Sequence, residues 1–274
     1  MIVGLAQTNI VWEDKKTNLE KVKRVIDSFL GALDCSEDTG GRLLLFPEMS
    51  LTGFSMNTEV TAENDEFTLN EIKQLAAKNN ITIGIGWVRK NNTVLCENHY
   101  SLIDNNGAKI SDYIKIHPFS YSGEDRYFAG GDSLAWCQVG EFKVATAICF
   151  DLRFPEIFQI MSDNADMIIV PANWPERRSK HWKTLLAARA IENQCYIAGI
   201  NCCGMVGDQY YSGDSGLYSP GGEKLSVTTG IMLNEGTEEE QIFIYTLDND
   251  VRKVRKSFPV KSDRKIELYK KLMN

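Results

Sequence analysis

The chain alternates between short runs of apolar residues and longer segments in which apolar and polar positions repeat with a helical period. From Thr17 to Leu33 the apolar residues recur every three or four positions, which predicts an amphipathic helix. Thr17 and Glu20 have the spacing of a capping box, so this helix is expected to begin at Thr17. The same period predicts two further helices, Glu71–Asn79 and Ser179–Gln194.

The short apolar runs have the length of buried strands and end at glycine, proline or polar residues. The predicted strands are Ile2–Gln7, Leu43–Phe46, Ile81–Val88, Phe142–Ile148, Met167–Pro171, Cys195–Asn201 and Gln241–Leu247. Turn sequences predict two hairpins, which join His99–Asp104 to Ala108–Lys115 and Leu217–Ser219 to Lys224–Thr228. Because no linker-like stretch divides the chain, we expect one α/β domain over residues 1–274 with a mixed sheet or sheets.

Composition narrows the class of protein without identifying it. Of the 274 residues 43% are hydrophobic, and the net charge of −7 argues against general binding to nucleic acids or anionic membranes. The seven cysteines form no C-x-x-C pair, so neither a zinc site nor a disulfide framework is expected. The first residues, MIVGLAQ, lack the pattern of a signal peptide or a transmembrane helix, and we predict a protein of the reducing cytoplasm.

Three titratable residues stand just after predicted strands or at their ends. Glu48 follows LLLFP, Lys115 follows ISDYI, and Cys149 follows VATAI. Strand ends are where α/β proteins build their sites, and a carboxylate, an ammonium and a thiol would supply a base, an electrostatic stabiliser and a nucleophile. Each also has an ordinary interpretation, as a turn cap, a surface lysine and a buried structural thiol. The three residues by themselves leave both interpretations open.

Six sequence blocks extend the pattern over nearly the whole chain. They are AQTNIVWEDKKTNLEKV, LLLFPEMSLTGF, YIKIHPFSYSGED, AICFDLRFPE, VPANWPERRSKHWKTLLAARAIENQCYIAGIN and SGDSGLYSPGGEKL. In this order they resemble the nitrilase, or carbon–nitrogen hydrolase, superfamily. The resemblance implies a four-layer α-β-β-α sandwich and a catalytic triad at Glu48, Lys115 and Cys149. It also implies a second glutamate after the lysine, and Glu124 matches that position.

The implied triad would hydrolyse an amide through a thioester. Glu48 would take the proton of Cys149, deliver a proton to the departing ammonia and then activate the water that cleaves the thioester. Lys115 and the backbone N–H of Phe150 would stabilise the oxyanion. Glu124 would orient Lys115 or the substrate by hydrogen bonds.

Three other patterns have competing interpretations. GDSG at Gly213–Gly216 imitates the nucleophile segment of trypsin-like proteases, although no histidine has a matching context. His117 offers an alternative base for Cys149 in a Cys–His dyad. Arg153 is interpreted as a structural ion-pairing residue, with binding of a substrate carboxylate as the alternative.

The residues after the cysteine favour one branch of the superfamily. CFDLRFPE with ANWPERR and ARAIENQ is most similar to the omega-amidases, and this resemblance implies hydrolysis of 2-oxoglutaramate or 2-oxosuccinamate with release of ammonia. The alternatives are another activity of the superfamily, on an N-carbamoyl amino acid or a nitrile, and a non-catalytic interaction protein with the same fold. The candidate substrate-binding residues are Phe54, Tyr121, Arg153, Asn173, Trp174, Arg177 and Arg178.

The resemblance also sets expectations for partners. A small-molecule amide is the expected substrate, and no metal, cofactor, nucleic acid or membrane is required. A homodimer or a larger homo-oligomer is implied, joined through the face near the helix after the nucleophile. The tail from about residue 248 to 274 is expected to pack across that interface.

Overall fold

The structure is a computed structural model that describes residues 1–33, 41–91, 94–233 and 239–273. The strands in these ranges are β1 (Ile2–Gln7), β2 (Arg42–Leu45), β3 (Thr82–Arg89), β4 (Cys96–Ile103), β5 (Lys109–Ile114), β6 (Phe128–Ala129), β7 (Trp136–Val139), β8 (Phe142–Thr146), β9 (Met167–Ala172), β10 (Tyr196–Asn201), β11 (Cys203–Val206), β12 (Gln209–Ser212), β13 (Gly216–Tyr218), β14 (Thr229–Met232) and β15 (Gln241–Thr246). The α-helices are α1 (Lys15–Gly31), α2 (Thr58–Thr61), α3 (Phe67–Asn79), α4 (Pro155–Ser162), α5 (Ser179–Asn193), α6 (Val251–Ser257) and α7 (Ile266–Met273).

Two mixed sheets carry the fold. The strand order is β14-β15-β1-β2-β3-β4-β5 in the larger sheet, where β6 also pairs with β4, and β13-β10-β9-β8-β7 in the smaller one. The centres of both sheets are parallel, from β1 through β3 and from β8 through β10. β15, β4, β7 and β13 pair antiparallel with these centres, and β11 and β12 form a separate hairpin.

The two sheets pack face to face, and helices cover their outer sides. Val3 and Leu45 of the larger sheet share one apolar core with Val144 and Ala198 of the smaller sheet. A second core joins α1 and α3 to the outer face of the larger sheet, and α4 and α5 pack on β9 and β10 of the smaller one. Burial of both faces of each sheet explains why its parallel central strands are continuous apolar runs. The expected four-layer α-β-β-α sandwich in one domain is confirmed.

The predicted helices are present, but two of them begin earlier than the sequence pattern indicated. α1 starts at Lys15 because Asp14, and not Thr17, is its N-cap. The Asp14 carboxylate accepts the Thr17 N–H at 3.1 Å and the Thr17 hydroxyl at 2.7 Å. The capping box predicted from Thr17 and Glu20 is therefore wrong. α3 likewise begins at Phe67, after Glu66.

The predicted second hairpin is wrong in one of its strands. Lys224–Thr228 forms no strand, and a single bridge pairs Tyr218 with Lys224. The chain instead crosses to the larger sheet, where β14 pairs with β15. Strands β7, β11 and β12 are present without having been predicted.

The ends of four strands meet where the sheets face each other. Glu48 follows β2 and Lys115 follows β5 in the larger sheet, whereas Cys149 follows β8 and Asn173 follows β9 in the smaller one. The Asn173 N–H donates to Glu48 Oε2 at 2.9 Å, so the two sheets are linked at this point. The packing of sheet on sheet thus brings together residues that are far apart in the sequence.

The segment that carries Glu48 lies unusually close to β3. A Cβ atom on Gly86 would lie 2.4 Å from Met49 N and 2.8 Å from Pro47 O, which are backbone atoms. Gly86 also exchanges hydrogen bonds with Ser50, through Ser50 N to Gly86 O at 3.0 Å and Gly86 N to Ser50 Oγ at 3.1 Å. Only glycine permits this approach, which places Glu48 against the sheet.

Gly86→Ala is expected to lower the free energy of unfolding by about 1–3 kcal/mol, because the added methyl group meets backbone that cannot move aside cheaply. Denaturant unfolding measures this change. Gly31→Ala, where no atom lies within 4 Å of the added Cβ, is the matched control. It is expected to be neutral or slightly stabilising, since alanine favours the helix. Equal stability of the two variants would contradict the close approach at Gly86.

Candidate active site

Cys149 stands at a sharp turn between β8 and a short 3₁₀ helix, Cys149–Arg153. Its φ of +47° lies in the left-handed region, which is uncommon for a residue other than glycine. The turn is held by Asp151, whose Oδ2 accepts the N–H of Ile148 at 2.9 Å. Such strain persists only where surrounding contacts enforce it, and it is common at functional sites. This geometry marks Cys149 out from an ordinary buried thiol.

Asp151 also ties this turn to the segment after Lys115. Its carboxylate accepts the Tyr113 hydroxyl at 2.8 Å, the His117 N–H at 3.0 Å and His117 Nδ1 at 2.7 Å. The imidazole stacks on Phe154, with ring centroids 3.8 Å apart. The ring of His117 is thus engaged by Asp151 and Phe154 rather than by Cys149, and the Cys–His dyad is not the arrangement found.

A buried ion cluster lies beside the cysteine. Lys115 Nζ donates to Glu48 Oε1 at 2.9 Å and to the two carboxylate oxygens of Glu124 at 3.0 and 2.8 Å. The side chains of Lys115, Glu48 and Glu124 are 1%, 0% and 0% exposed. Burial opposes the charge of Lys115, but the carboxylates of Glu124 and Glu48 outweigh it and raise the lysine pKa. Lys115 is therefore a fixed positive charge over the whole working range of pH.

Glu124, the second glutamate that the resemblance implied, is part of this buried cluster. It begins a 3₁₀ turn, Glu124–Arg126, and its Oε2 also accepts the N–H of Phe119 at 2.5 Å. Burial and the neighbouring Glu48 raise its pKa, and the charge of Lys115 opposes this shift. Asp125, the adjacent carboxylate, forms no part of the cluster.

Two asparagines complete the surroundings of Glu48. Asn98 Nδ2 donates to Glu48 Oε1 at 2.8 Å and to Glu124 Oε1 at 3.3 Å. Asn173 donates its backbone N–H to Glu48 Oε2 at 2.9 Å and its side-chain Nδ2 to Glu48 O at 2.6 Å. Asn173 Oδ1 accepts the Cys202 thiol at 3.2 Å. Asn173, predicted to bind substrate, thus holds Glu48 and also lines the cavity.

The electrostatic setting keeps Cys149 in its thiol form. Burial raises the pKa of Cys149 well above the usual value, the carboxylates of Glu48 and Glu124 raise it further, and Lys115 opposes the shift. Its Sγ lies 4.0 Å from Asn173 O, and the Glu48 carboxylate is among the charges that act on the thiol. Because little thiolate forms spontaneously, a nucleophilic role requires a base that takes the proton during attack.

A cavity of about 260 Å³ opens onto the thiol and the lysine. The predicted residues that line it, besides Cys149 and Lys115, are Phe54, Phe150, Arg153, Asn173, Trp174, Arg177 and Arg178. Tyr121 is the one predicted substrate-binding residue that does not line the cavity. It is 82% exposed and packs beside Phe119, with ring centroids 5.8 Å apart, while Phe119 itself lines the cavity.

Several further residues of the lining gave no signal in the sequence. They are Trp12, Met56, Phe119, Ser122, Pro175, Val206, Asp208, Gln209 and Tyr211. Four of them come from the β11–β12 hairpin, which was itself not predicted. Their side chains reach the cavity because β12 packs against the 3₁₀ turn Glu176–Arg178, which follows β9 in the chain. A contact between segments that are distant in the sequence cannot be predicted from a local sequence pattern.

Two arginines of the lining stack on aromatic rings. The guanidinium of Arg153 lies 4.8 Å from the ring centroid of Trp174, and that of Arg178 lies 5.1 Å from that of Phe119. Burial lowers the pKa of both arginines without abolishing their charge. Within the part of the chain that the structure describes, neither is paired with a carboxylate, and Arg153 instead contacts His181 at 3.3 Å. Arg153 is therefore not the structural ion-pairing residue that was predicted.

The described ranges contain no group of three or more histidine, cysteine or acidic side chains arranged to hold a metal ion. None of the helices in those ranges is both long and apolar enough to cross a membrane.

Comparisons with known proteins match this chain over most of its length. A family model described as carbon–nitrogen hydrolase matches residues 2–256. A 2-oxoglutaramate amidase of Bacillus subtilis (strain 168) is 31% identical over 273 residues, which is 97% of this chain and 98% of that protein. Omega-amidase YafV of Yersinia enterocolitica is 33% identical over 223 residues, 80% of this chain and 81% of that protein.

A solved structure extends the comparison to three dimensions. XC1258 of Xanthomonas campestris, described as a CN-hydrolase superfamily protein with an arsenic adduct in the active site, has a TM-score of 0.84 at 26% identity. The alignment covers 96% of this chain and 97% of that one. The similarity to these proteins in sequence and in fold thus extends over both sheets and the layers of helices that cover them.

Proposed function

This chain belongs to the carbon–nitrogen hydrolase family, and from that premise we propose that it is an omega-amidase. The proposed reaction is hydrolysis of the terminal amide of a small 2-oxo acid, such as 2-oxoglutaramate or 2-oxosuccinamate, to ammonia and the dicarboxylic acid. Two relatives bear the names 2-oxoglutaramate amidase and omega-amidase, which supports this substrate class.

The observation that carries the proposal is the position of the Lys115 ammonium. It is held between two fully buried carboxylates and lines the same cavity as Cys149. A non-catalytic interaction protein has no use for so costly a buried cluster beside a strained cysteine. The arrangement favours an enzyme over that alternative.

In the proposed acylation, Cys149 Sγ attacks the carbon of the amide while its proton moves to Glu48. The amide oxygen becomes an oxyanion that Lys115 and the backbone N–H of Phe150 stabilise. Glu48 then returns the proton to the amide nitrogen, the C–N bond breaks and ammonia leaves. A thioester on Cys149 remains.

In the proposed deacylation, the same glutamate acts as a base a second time. It takes a proton from a water molecule whose oxygen attacks the thioester carbon, and Lys115 again faces the oxyanion. Collapse breaks the C–S bond, the proton returns to Cys149 and the carboxylic acid departs. Glu124 touches neither reacting atom in this scheme. It holds Lys115 through two hydrogen bonds of 3.0 and 2.8 Å.

The cavity supports a small substrate that carries a carboxylate. Its volume of about 260 Å³ lies below the range of drug-sized pockets. Arg153 and Arg178 lack carboxylate partners among the described residues and are held in place by aromatic stacking. A guanidinium with free N–H groups suits a planar carboxylate, and we assign the carboxylate end of the substrate to these arginines.

A homodimer in a reducing cytoplasm completes the proposal. Ile160 on α4, Ile191 on α5 and Phe258 after α6 are 55%, 55% and 69% exposed. The C-terminal tail is anchored next to them, where Arg255 donates to Ser162 O at 2.9 Å. An interface at α4 would bury these apolar side chains and the tail with them. The described cysteines are free thiols, which is compatible with a reducing compartment.

A panel of substrates tests the reaction and the substrate class together. Ammonia release is expected from 2-oxoglutaramate and 2-oxosuccinamate with the highest kcat/KM. An aliphatic amide of the same length without a carboxylate should be at least about 10-fold poorer, since it leaves the arginines without a partner. Glutamine, an N-carbamoyl amino acid and an aliphatic nitrile complete the panel. Fastest turnover of the carbamoyl compound or the nitrile would move the protein to another branch of the family.

Cys149→Ala is expected to lower ammonia release by at least about 1,000-fold while the melting temperature stays near that of the unsubstituted protein. Cys137→Ala is the control, because Cys137 is a partly buried thiol outside the cavity. It should retain full turnover. Substantial activity in Cys149→Ala would remove the proposed nucleophile.

Ile160→Asp is expected to convert the dimer to monomers in sedimentation experiments, because it places a charge in the proposed interface. Val60→Asp, at an apolar residue of similar exposure on α2, should leave the dimer intact. A monomeric unsubstituted protein, or dissociation by both variants alike, would argue against an interface at α4.

A further inference from the structure

The side chain of Asn98 contacts both glutamates of the buried cluster but does not reach the cavity. Asn98 is the third residue of β4, and its side chain is almost completely buried. Its backbone oxygen accepts the Lys115 N–H at 2.9 Å, and its Nδ2 donates to Glu48 Oε1 at 2.8 Å and to Glu124 Oε1 at 3.3 Å. It is absent from the residues that line the cavity. Any effect on the reaction must therefore pass through the glutamates.

The charges of the cluster explain why a neutral donor stands here. Two carboxylates and one ammonium are buried together, so the two negative charges repel each other and share a single cation. An amide N–H₂ between them stabilises both ionised forms and adds no charge. The reverse orientation of the amide would place its oxygen against two carboxylates. Asn98 Oδ1 accordingly faces away, with no hydrogen-bond donor among the described residues.

A count of acceptor positions on Glu48 shows what this donor does. Oε1 receives two hydrogen bonds, from Lys115 and from Asn98, which fill the two lone pairs of that oxygen. Oε2 receives one, from the N–H of Asn173. Among the described residues nothing else donates to Oε2, so one acceptor position stays open there, and the Glu48 carboxylate acts on the Cys149 thiol.

We propose that Asn98 is a positioning residue that holds Glu48 through Oε1 and directs its proton exchange to Oε2. The inference rests on the proposed function only for the chemistry that Cys149 performs. The thiol proton moves to Oε2 as sulfur attacks, and it leaves from Oε2 to the departing nitrogen. With both acceptor positions of Oε1 filled, Oε2 is the oxygen left to take up the proton.

Loss of Asn98 would change the proton occupancy of the carboxylate pair. Without the donor the two glutamates repel each other more strongly and take up a proton at a higher pH. A proton held by the carboxylate pair blocks uptake of the thiol proton, so the acid limb of the pH profile should move upward. The titratable and charged groups that face Glu48 are Lys115, Glu124 and Cys149, with Cys202 and Tyr211 further away.

The test compares Asn98→Leu, which keeps the shape and removes the donor, with Asn98→Asp, which keeps the shape and adds a third carboxylate. Two pH profiles are measured for each variant: kcat/KM for 2-oxoglutaramate and the rate of alkylation of Cys149 by iodoacetamide, followed by peptide mapping. Asn98→Leu should move the acid inflection of both profiles upward by about one to two pH units and lower kcat about 10- to 100-fold. Asn98→Asp should move it further.

Thr146→Val is the matched control, since it exchanges a buried polar side chain without a hydrogen-bond partner for an apolar one of the same shape. Its pH profiles should stay those of the unsubstituted protein. A lower melting temperature in Asn98→Leu with unshifted inflections would overturn the proposal and make Asn98 a packing residue. If Asn98→Leu does not fold, unshifted inflections in Asn98→Asp would overturn it equally. A shifted alkylation profile without ammonia release from any omega-amide would support the positioning role and refute the proposed substrate.

Discussion

A buried ammonium held between two buried carboxylates is the constraint on which the site depends. Removing three charged groups from water is costly, and their attraction offsets that cost only when each oxygen has a donor at hydrogen-bond distance. Lys115 meets this requirement at 2.8–3.0 Å from both glutamates, and Asn98 and the backbone of Asn173 supply the remaining donors. These groups come from separate strands and turns of the two sheets. The sheets must therefore pack in one register for the cluster to be stable.

The same register positions the nucleophile that we propose. Asp151 accepts the N–H of Ile148 before the cysteine and the N–H of His117 after the lysine, at 2.9 and 3.0 Å. One carboxylate thus ties the strained turn at Cys149 to the segment that carries Lys115. Asn173 makes the second connection, from the end of β9 to Glu48. Asp151 and Asn173, which have no part in the proposed chemistry, thus hold Glu48, Lys115 and Cys149 together where the two sheets meet.

The charges around the cavity suggest how a small amide would be oriented. The glutamates stand behind Lys115 and Cys149, whereas Arg153 and Arg178 line the cavity without carboxylate partners among the described residues. A substrate with a carboxylate at one end and an amide at the other is attracted by the arginines at its acidic end. Its uncharged amide is the end that can approach two buried carboxylates at little electrostatic cost. This separation of charge is the physical basis for the proposed preference for monoamides of dicarboxylic acids.

The class of fold, the approximate strands and helices, and the candidates Glu48, Lys115 and Cys149 at strand ends could be predicted from the sequence, and the resemblance added Glu124. Strand and helix periods are local properties, and the resemblance joined the strand ends into one site. That Phe119 and not Tyr121 lines the cavity depends on the tertiary structure, because the 3₁₀ turn Ser120–Ser122 leaves Tyr121 82% exposed beside Phe119. The tertiary structure also determines that Asn98 contacts both glutamates and that the β11–β12 hairpin lines the cavity. An alternating strand pattern tells which side of the sheet a residue faces, but what lies opposite it depends on how distant segments pack.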